Sequence, residues 1–178
     1  MTRRSLLEYP DARLRIRARE VTDFGAGLQT LVDDLLETLQ ATRALGLAAT
    51  HIDVHERLLV VDISGDGSDP QVFINPEIVA RSGLGMVEEG CLSVPGVNGN
   101  VRRSLALTVR GVDRRGVAYE RTVEGLLAVC LQHEMDHLDG RLFIDRLSWI
   151  SRLGMRRRLA RTRRDLAPER DAGAAAHS

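Results

Sequence analysis

Apolar residues recur at helical spacing from Gly27 to Ala44, at Leu28, Leu31, Val32, Leu35, Leu36 and Leu39, with Asp33, Asp34 and Glu37 between them. That spacing predicts an amphipathic helix with one buried stripe. Ahead of it, residues 1–20 are polar and Arg-rich around Pro10 and predict an extended arm. Behind it, Gly46-Leu47-Ala48-Ala49 is rich in small residues, which lets a backbone pass close to a substrate or a neighbouring element. The period then changes. Leu58 to Ile63 is an unbroken apolar run that predicts a strand, Ser64 to Pro70 a surface turn, and Gln71 to Ile74 a second strand that Pro76 interrupts. Met86 to Glu88 reads as extended, and residues 96–104, with two Gly and two Asn, read as a loop. Leu105 to Val112 and Val117 to Val123 alternate on either side of Asp113–Gly116, the pattern of a hairpin. A helical period resumes from Val123 and runs through His137, with Gly140 as its stop. Arg141 to Leu147 is a short connection or strand, Ser148 to Leu166 a strongly basic helix, and residues 167–178, which lack large apolar side chains, predict a disordered tail.

Composition narrows the class. At 178 residues and 43% apolar content, the chain is long enough for one domain with a substantial core. No stretch approaches the roughly 18 continuous apolar residues of a membrane span. Met1 to Arg19 carries positive charge without an apolar block, and Glu8 and Asp11 argue against a transit peptide, so the cytoplasm is the expected location. Two cysteines, Cys91 and Cys130, are too few for a disulfide scaffold and suit a reducing compartment. The zero net charge hides an asymmetry: residues 1–145 carry 16 Arg against 22 Asp and Glu, and residues 146–178 carry nine Arg against three. A basic segment follows an acidic body.

The chemistry is concentrated in Gln132-His133-Glu134-Met135-Asp136-His137, which contains the pattern HExxH. On a helix, residues four apart share a face, so His133 and His137 can grip one metal ion while Glu134 points at whatever the ion holds. With five histidines in 178 residues, two standing four apart with a glutamate directly after the first are improbable by accident. A catalytic site of this kind takes three protein ligands and keeps one position open. Downstream sequence does not supply the third. Phe143 stands where the metzincin pattern needs histidine, and Trp149 to Arg164, where thermolysin-like enzymes offer a glutamate, contains no Asp or Glu. Upstream, Cys130 lies one helical turn further from the gap between the histidines, with a side chain too short to span it, and is expected in the core or a pocket wall. Cys91 sits beside Gly90 in an extended segment that can bring a thiolate to the metal.

Glu89-Gly90-Cys91-Leu92-Ser93 followed by the 132–137 stretch resembles the second and third signature motifs of the peptide deformylases. Ala44 to His51 is similar to the first, Gly-x-Gly-x-Ala-Ala-x-Gln, with Ala44 for the first glycine and His51 for the glutamine. The likeness runs from the N-terminal arm to the basic final helix. It implies an α+β fold in which the central HExxH helix is surrounded by small, mostly antiparallel sheets, with an N-terminal amphipathic helix and a basic C-terminal helix at 148–166. Residues 1–166 would then form one catalytic domain. The implied activity is removal of the N-formyl group from the initiator methionine of nascent polypeptides. The implied cofactor is one divalent ion, Fe2+ natively with Zn2+, Ni2+ or Co2+ as substitutes, bound by Cys91, His133 and His137. Glu134 would carry a proton from water to the departing amine. The backbone N–H of Leu92, with His51 in place of the amide, would hold the oxyanion. The methionine pocket would be built from Leu45, Val87, Leu126, Val129 and Cys130, with Gly46 beside the substrate backbone and Arg102 or Arg103 pairing with Glu89 or facing the substrate.

The His51 substitution points to reduced or more pH-dependent turnover, because an imidazole changes charge between about pH 5 and 8 and an amide does not. Two other readings stand beside this one. The first is a deformylase-like paralogue acting on another formylated or acylated amine; the second is a ribosome-associated metal-binding protein, against which the intact general base Glu134 argues. The expected partners are N-formylmethionyl nascent peptides. Arg156, Arg157, Arg158, Arg161, Arg163 and Arg164 form either a solvated helix face or a contact to ribosomal RNA phosphates. No membrane partner and no sequence-specific RNA-recognition motif is indicated.

Overall fold

A strand without a polar position, Leu58–Val61, needs cover on both faces, and the computed structural model, which describes residues 5–149 and 151–155, supplies it. The elements in chain order are α1 (Ala26–Thr42), β1 (Gly46–Ala48), β2 (Leu58–Val61), β3 (Gln71–Ser82), β4 (Gly85–Cys91), β5 (Val94–Arg103), β6 (Ala106–Val112), β7 (Ala118–Glu124) and α2 (Gly125–Leu138). Leu58 and Val60 pack with Leu31, Val32 and Leu35 of α1. Leu59 and Val61 pack with Leu131, Met135 and Leu138 of α2. Because successive strand side chains point to opposite faces, the two helices lie on opposite sides of the sheet. Each of these buried apolar side chains contributes up to roughly 1.5–3 kcal/mol relative to exposure.

The fold is mixed α and β, with few helices and antiparallel sheets. Five strands run in the order β1-β2-β3-β6-β7, and β4 and β5 form a separate two-stranded sheet inserted between β3 and β6. A third apolar cluster gathers Val94, Val97 and Val101 of β5 with Leu7, Leu14, Phe143, Ile144, Leu147 and Met155.

Two expectations from the sequence are overturned here. Pro76 does not end a strand: β3 continues to Ser82 through an irregular register between Ile74 and Glu77. Proline cannot donate to a ladder, and a bulge is where a strand tolerates it. Asn75 makes the bend at φ 49° and is held there by 2.9 Å bonds from its side chain to both the N–H and the carbonyl of Val21. Residues 96–104 are also not a loop, since most of them belong to β5, paired with β4 from Gly85↔Arg103 to Gly90↔Asn98.

The N-terminal arm is docked. Leu7 N–H donates to His51 O at 2.8 Å and Tyr9 N–H to Ser93 O at 2.7 Å, so the arm ties together two turns that carry candidate site residues. Past the 3-10 turn Phe143–Arg146, Trp149 and residues 151–155 are helical, with Met155 buried. The expectations for Arg156 to Arg164 and for the 167–178 tail lie outside the described residues. Among those described, no helix is long and apolar enough to cross a membrane.

Candidate metal centre

Gly125, at φ 60°, turns the chain from β7 directly into α2, and its N–H donates to Leu105 O at 2.8 Å. From Ala128 to Leu138 every residue of α2 is buried. Gln132 pins the helix to the β5–β6 junction like a short strand pair: Nε2 donates to Ser104 O at 2.8 Å and Oε1 accepts from Ser104 N–H at 3.1 Å. His133 and His137 then stand one turn apart with their Nε2 atoms separated by 3.3 Å.

Cys91 ends β4 where the pairing with β5 becomes irregular, and its Sγ lies 3.3 Å from His137 Nε2. His51 enters from the 3-10 turn Ala49–Ile52, placing Nε2 at 3.8 Å from Cys91 Sγ. Donor atoms of His51, Cys91 and His137 all lie within 4.8 Å of one another, and His133 joins this group through His137. The structure thus gathers the three expected ligands and adds His51 as a further donor. An ion with metal–nitrogen distances of about 2.0–2.1 Å and metal–sulfur of about 2.3 Å spans donor pairs roughly 3.3–3.6 Å apart in tetrahedral geometry. The Cys91–His137 and His133–His137 separations, each 3.3 Å, meet that requirement and the 3.8 Å from His51 to Cys91 lies outside it, and a thiolate with imidazoles is a donor set for a transition ion rather than for calcium or magnesium.

The electrostatics favour the thiolate form of Cys91. Burial opposes ionisation of Cys91, but the surrounding imidazoles, His137 first, outweigh it and hold its thiol well below the usual range. Burial likewise opposes a charge on His133, yet hydrogen bonds to Cys91 and to Glu89 push it up to about 10. His137 is pushed down by burial and by His51. Among buried side-chain atoms, Glu134 Oε2 has no hydrogen-bond partner; it stands 3.8 Å from His51 Nδ1.

Behind the donors lies a network of which the sequence revealed only the Arg103–Glu89 pair. Glu89 Oε2 is 2.9 Å from His133 Nδ1, and Glu89 also accepts from Arg103 Nε and Nη2 at 2.6 and 2.9 Å. Arg103 Nη1 continues to Asp136 at 2.6 Å, and Arg146 pairs with the same carboxylate. Arg103, expected at the substrate, is instead 2% exposed, because two buried carboxylates need its charge. Its pairing with Glu89 holds. The roles of Asp136 and Arg146 had one readable signal: Asp136 follows His133 by three residues, on the buried side of the same helix.

In front of the donors opens a cleft of about 510 Å³. Leu45, Gly46, Val87, Leu92, Leu126, Val129 and Cys130 line it together with His51, Cys91, His133 and Glu134, so every other residue expected in the pocket borders it. Gly46 is required at its place, since a Cβ there would stand 2.7 Å from both Cys130 Sγ and Glu134 Oε1.

The sequence profile of the polypeptide deformylase family matches residues 3–152. The chain belongs to the peptide deformylase family. It is 52% identical over 162 residues to a peptide deformylase of Xylella fastidiosa (strain M12), covering 89% of this chain and 95% of that one. A relative named peptide deformylase 2, from Xanthomonas campestris pv. campestris, is 50% identical over 165 residues, with 91% and 97% covered. A crystal structure of a peptide deformylase from Legionella pneumophila superposes with a TM-score of 0.87 at 48% identity, over 93% of this chain and 98% of that one. As a deformylase, the chain is a metal-dependent hydrolase that removes the formyl group from nascent peptides, and the His–Cys–His cluster is suited to the ion.

Proposed function

We propose that this deformylase acts on the formylated initiator methionine with Cys91, His133 and His137 as ligands of one divalent ion and Glu134 as the proton carrier. The observation that carries the assignment is the convergence of Cys91 Sγ and His133 Nε2 on His137 Nε2, each at 3.3 Å, with Cys91 and His133 lining an apolar-walled cleft. A divalent ion there supplies Lewis acidity, making water a nucleophile near neutral pH and drawing charge from a carbonyl oxygen. Everything else falls to the chain.

Leu45, Val87, Leu126, Val129 and Cys130 take up the methionine side chain, and Gly46 lets the substrate backbone approach Glu134. Glu134 accepts the proton of the attacking water and delivers it to the departing amine, a division of labour worth about 10²–10⁴ in rate. Leu92 presents its backbone N–H at the turn after Cys91, where the formyl oxygen gains charge. His51 stands in place of the glutamine amide of the first motif, with Nε2 toward the same point.

Further parts of the proposal rest on different supports. Fe2+ is assigned as the native ion, and a thiolate ligand then makes the site prone to oxidation. Helix α2 is the centre around which a single catalytic domain of residues 1–166 is built; Met155, packed into the cluster of Phe143, supports the inclusion of the final helix. The cytoplasm, where nascent chains are made, is the assigned compartment, in keeping with two free cysteines. A ribosome contact through Arg156 to Arg164 is proposed from the charge pattern alone.

Protein purified anaerobically and loaded with Fe2+ tests the assignment. Formate release from formyl-Met-Ala without cleavage of acetyl-Met-Ala is the expected result. Equal cleavage of both would replace it with the paralogue reading, and inertness toward both would remove the activity.

A further inference from the structure

A free positive charge stands at the border of the cleft. Arg43 lines it beside Ala44, Leu45 and Gly46, is exposed, and is the only arginine or lysine among the described lining residues. Arg57, Arg110 and Arg114 each close on a carboxylate. Among the described residues the Arg43 guanidinium has no such partner. Its backbone ends α1: at φ 52° it is the left-handed cap, with its N–H donated to Gln40 O at 3.2 Å. Glycine or asparagine takes that conformation at less cost, so the cap itself does not call for an arginine.

Its place along the wall follows from chain geometry. Gly46 borders the reacting centre, since a Cβ there would meet Glu134 Oε1 at 2.7 Å. Arg43 precedes Gly46 by three residues, at most roughly 10 Å of extended chain, and each residue of an extended peptide advances about 3.3–3.6 Å. With a formyl-methionine in its pocket, the guanidinium is within reach of the next two residues of the peptide. The opposite wall does not cancel it. In β4, Val87, Glu89 and Cys91 take the more buried side, and Met86 and Glu88 stand exposed on the other. Glu89 is already held by Arg103 at 2.6 Å.

We propose that Arg43 is a specificity-determining residue: it reads the charge of the two residues that follow the formyl-methionine and favours peptides that are acidic there over basic ones. This inference rests on the peptide lying in the cleft as assigned above. An exposed ion pair changes affinity by up to about fivefold, and exchanging attraction for repulsion widens the span between acidic and basic peptides to about tenfold. The contact is made equally before and during the chemical step, so it belongs to KM rather than to kcat.

The test compares formyl-Met-Glu-Glu, formyl-Met-Gln-Gln and formyl-Met-Lys-Lys, each amidated at its C-terminus so that only the side chains differ in charge. Dissociation constants are measured on the Fe2+-loaded, full-length Glu134→Gln protein, and turnover on the loaded wild type. With Arg43 intact, the Glu-Glu peptide should bind most tightly and the Lys-Lys peptide least, across a span of about tenfold. The span should collapse in about 1 M salt, where the Debye length is about 3 Å. In the wild type the same span should appear in KM and little of it in kcat. Arg43→Asn, which suits the left-handed cap, should shrink the span to about twofold, and Arg43→Glu should invert it. Equal affinities for the three peptides with Arg43 intact, or a span that survives Arg43→Asn, would overturn the proposal. If the wild type cleaves none of the peptides while their affinities still depend on Arg43, the deformylation reading falls and the charge reading stands.

Discussion

Glu89 Oε2 lies 2.9 Å from Nδ1 of His133, while the same carboxylate accepts two bonds from the buried guanidinium of Arg103. One side chain therefore fixes the tautomer of an imidazole and compensates a buried charge. A carboxylate behind a metal-bound histidine raises its basicity and locks its ring. Glu89→Gln keeps the shape and removes the charge. Metal affinity, read by chelator competition, is expected to fall about 10–100-fold; unchanged affinity would mean that Glu89 serves only Arg103.

Arg103 carries the other half of that arrangement. Burial opposes its charge, but Glu89 and Asp136 outweigh burial and raise its pKa. Arg103→Met leaves two buried carboxylates without their shared partner, and breaking a buried pair from one side costs about 3–5 kcal/mol. Urea unfolding should register that loss. Arg102→Met, at the exposed neighbouring position of β5, is the control and should stay within about 0.5 kcal/mol.

Gly46 separates packing from chemistry. The Cβ of Gly46→Ala would meet Cys130 Sγ and Glu134 Oε1, each at 2.7 Å, so the carboxylate has to move. A displacement of about 1 Å at a reacting group can cost 10²-fold in rate. The expected result is a drop of that order in kcat on formyl-Met-Ala with a melting temperature lowered by only a few degrees. A variant that melts far earlier with kcat intact would assign Gly46 to stability alone.

Asp145 supplies a pH-dependent contribution away from the ion. Burial raises its pKa, but Arg15 and the Leu142 N–H at 2.9 Å outweigh burial and lower it overall. A depressed folded-state pKa means that the stabilisation is complete above the unfolded value of about 3.9 and is lost as pH falls through the folded value. The side chain is 36% exposed, so water screens the Arg15 pair and the charge is worth about 0.5 kcal/mol beyond what a neutral acceptor of the Leu142 N–H provides. Asp145→Asn should be less stable by that amount at pH 7, and the gap should narrow as pH falls below about 3.9, measured by chemical denaturation. A gap independent of pH would assign it to packing.

How much of this was legible depended on whether a signal was local. The motif helix was, because His133, Glu134 and His137 declare their geometry through spacing alone. Cys91 was reached through its glycine neighbour and the absence of any ligand downstream. The pairing of β4 with β5 was not legible, since Gly99 looks like a turn residue but is small because Leu147 packs on it: a Cβ there would stand 2.7 Å from Leu147 Cδ2. Arg103 was misread for a related reason. A loop arginine defaults to solvent or ligand, and its burial is set by Glu89 and Asp136, 14 and 33 residues away. Pro76 broke the apparent strand, and the Asn75–Val21 bonds that rescue it span 54 residues.

The proposed reaction turns on Glu134 moving the proton at an ion held by Cys91, His133 and His137. Formate release from formyl-Met-Ala by Glu134→Gln, with metal content measured on the same sample, tests it most directly. The expected rate is lower by about 10²–10⁴ at unchanged metal content. Wild-type turnover in fully loaded Glu134→Gln would contradict it.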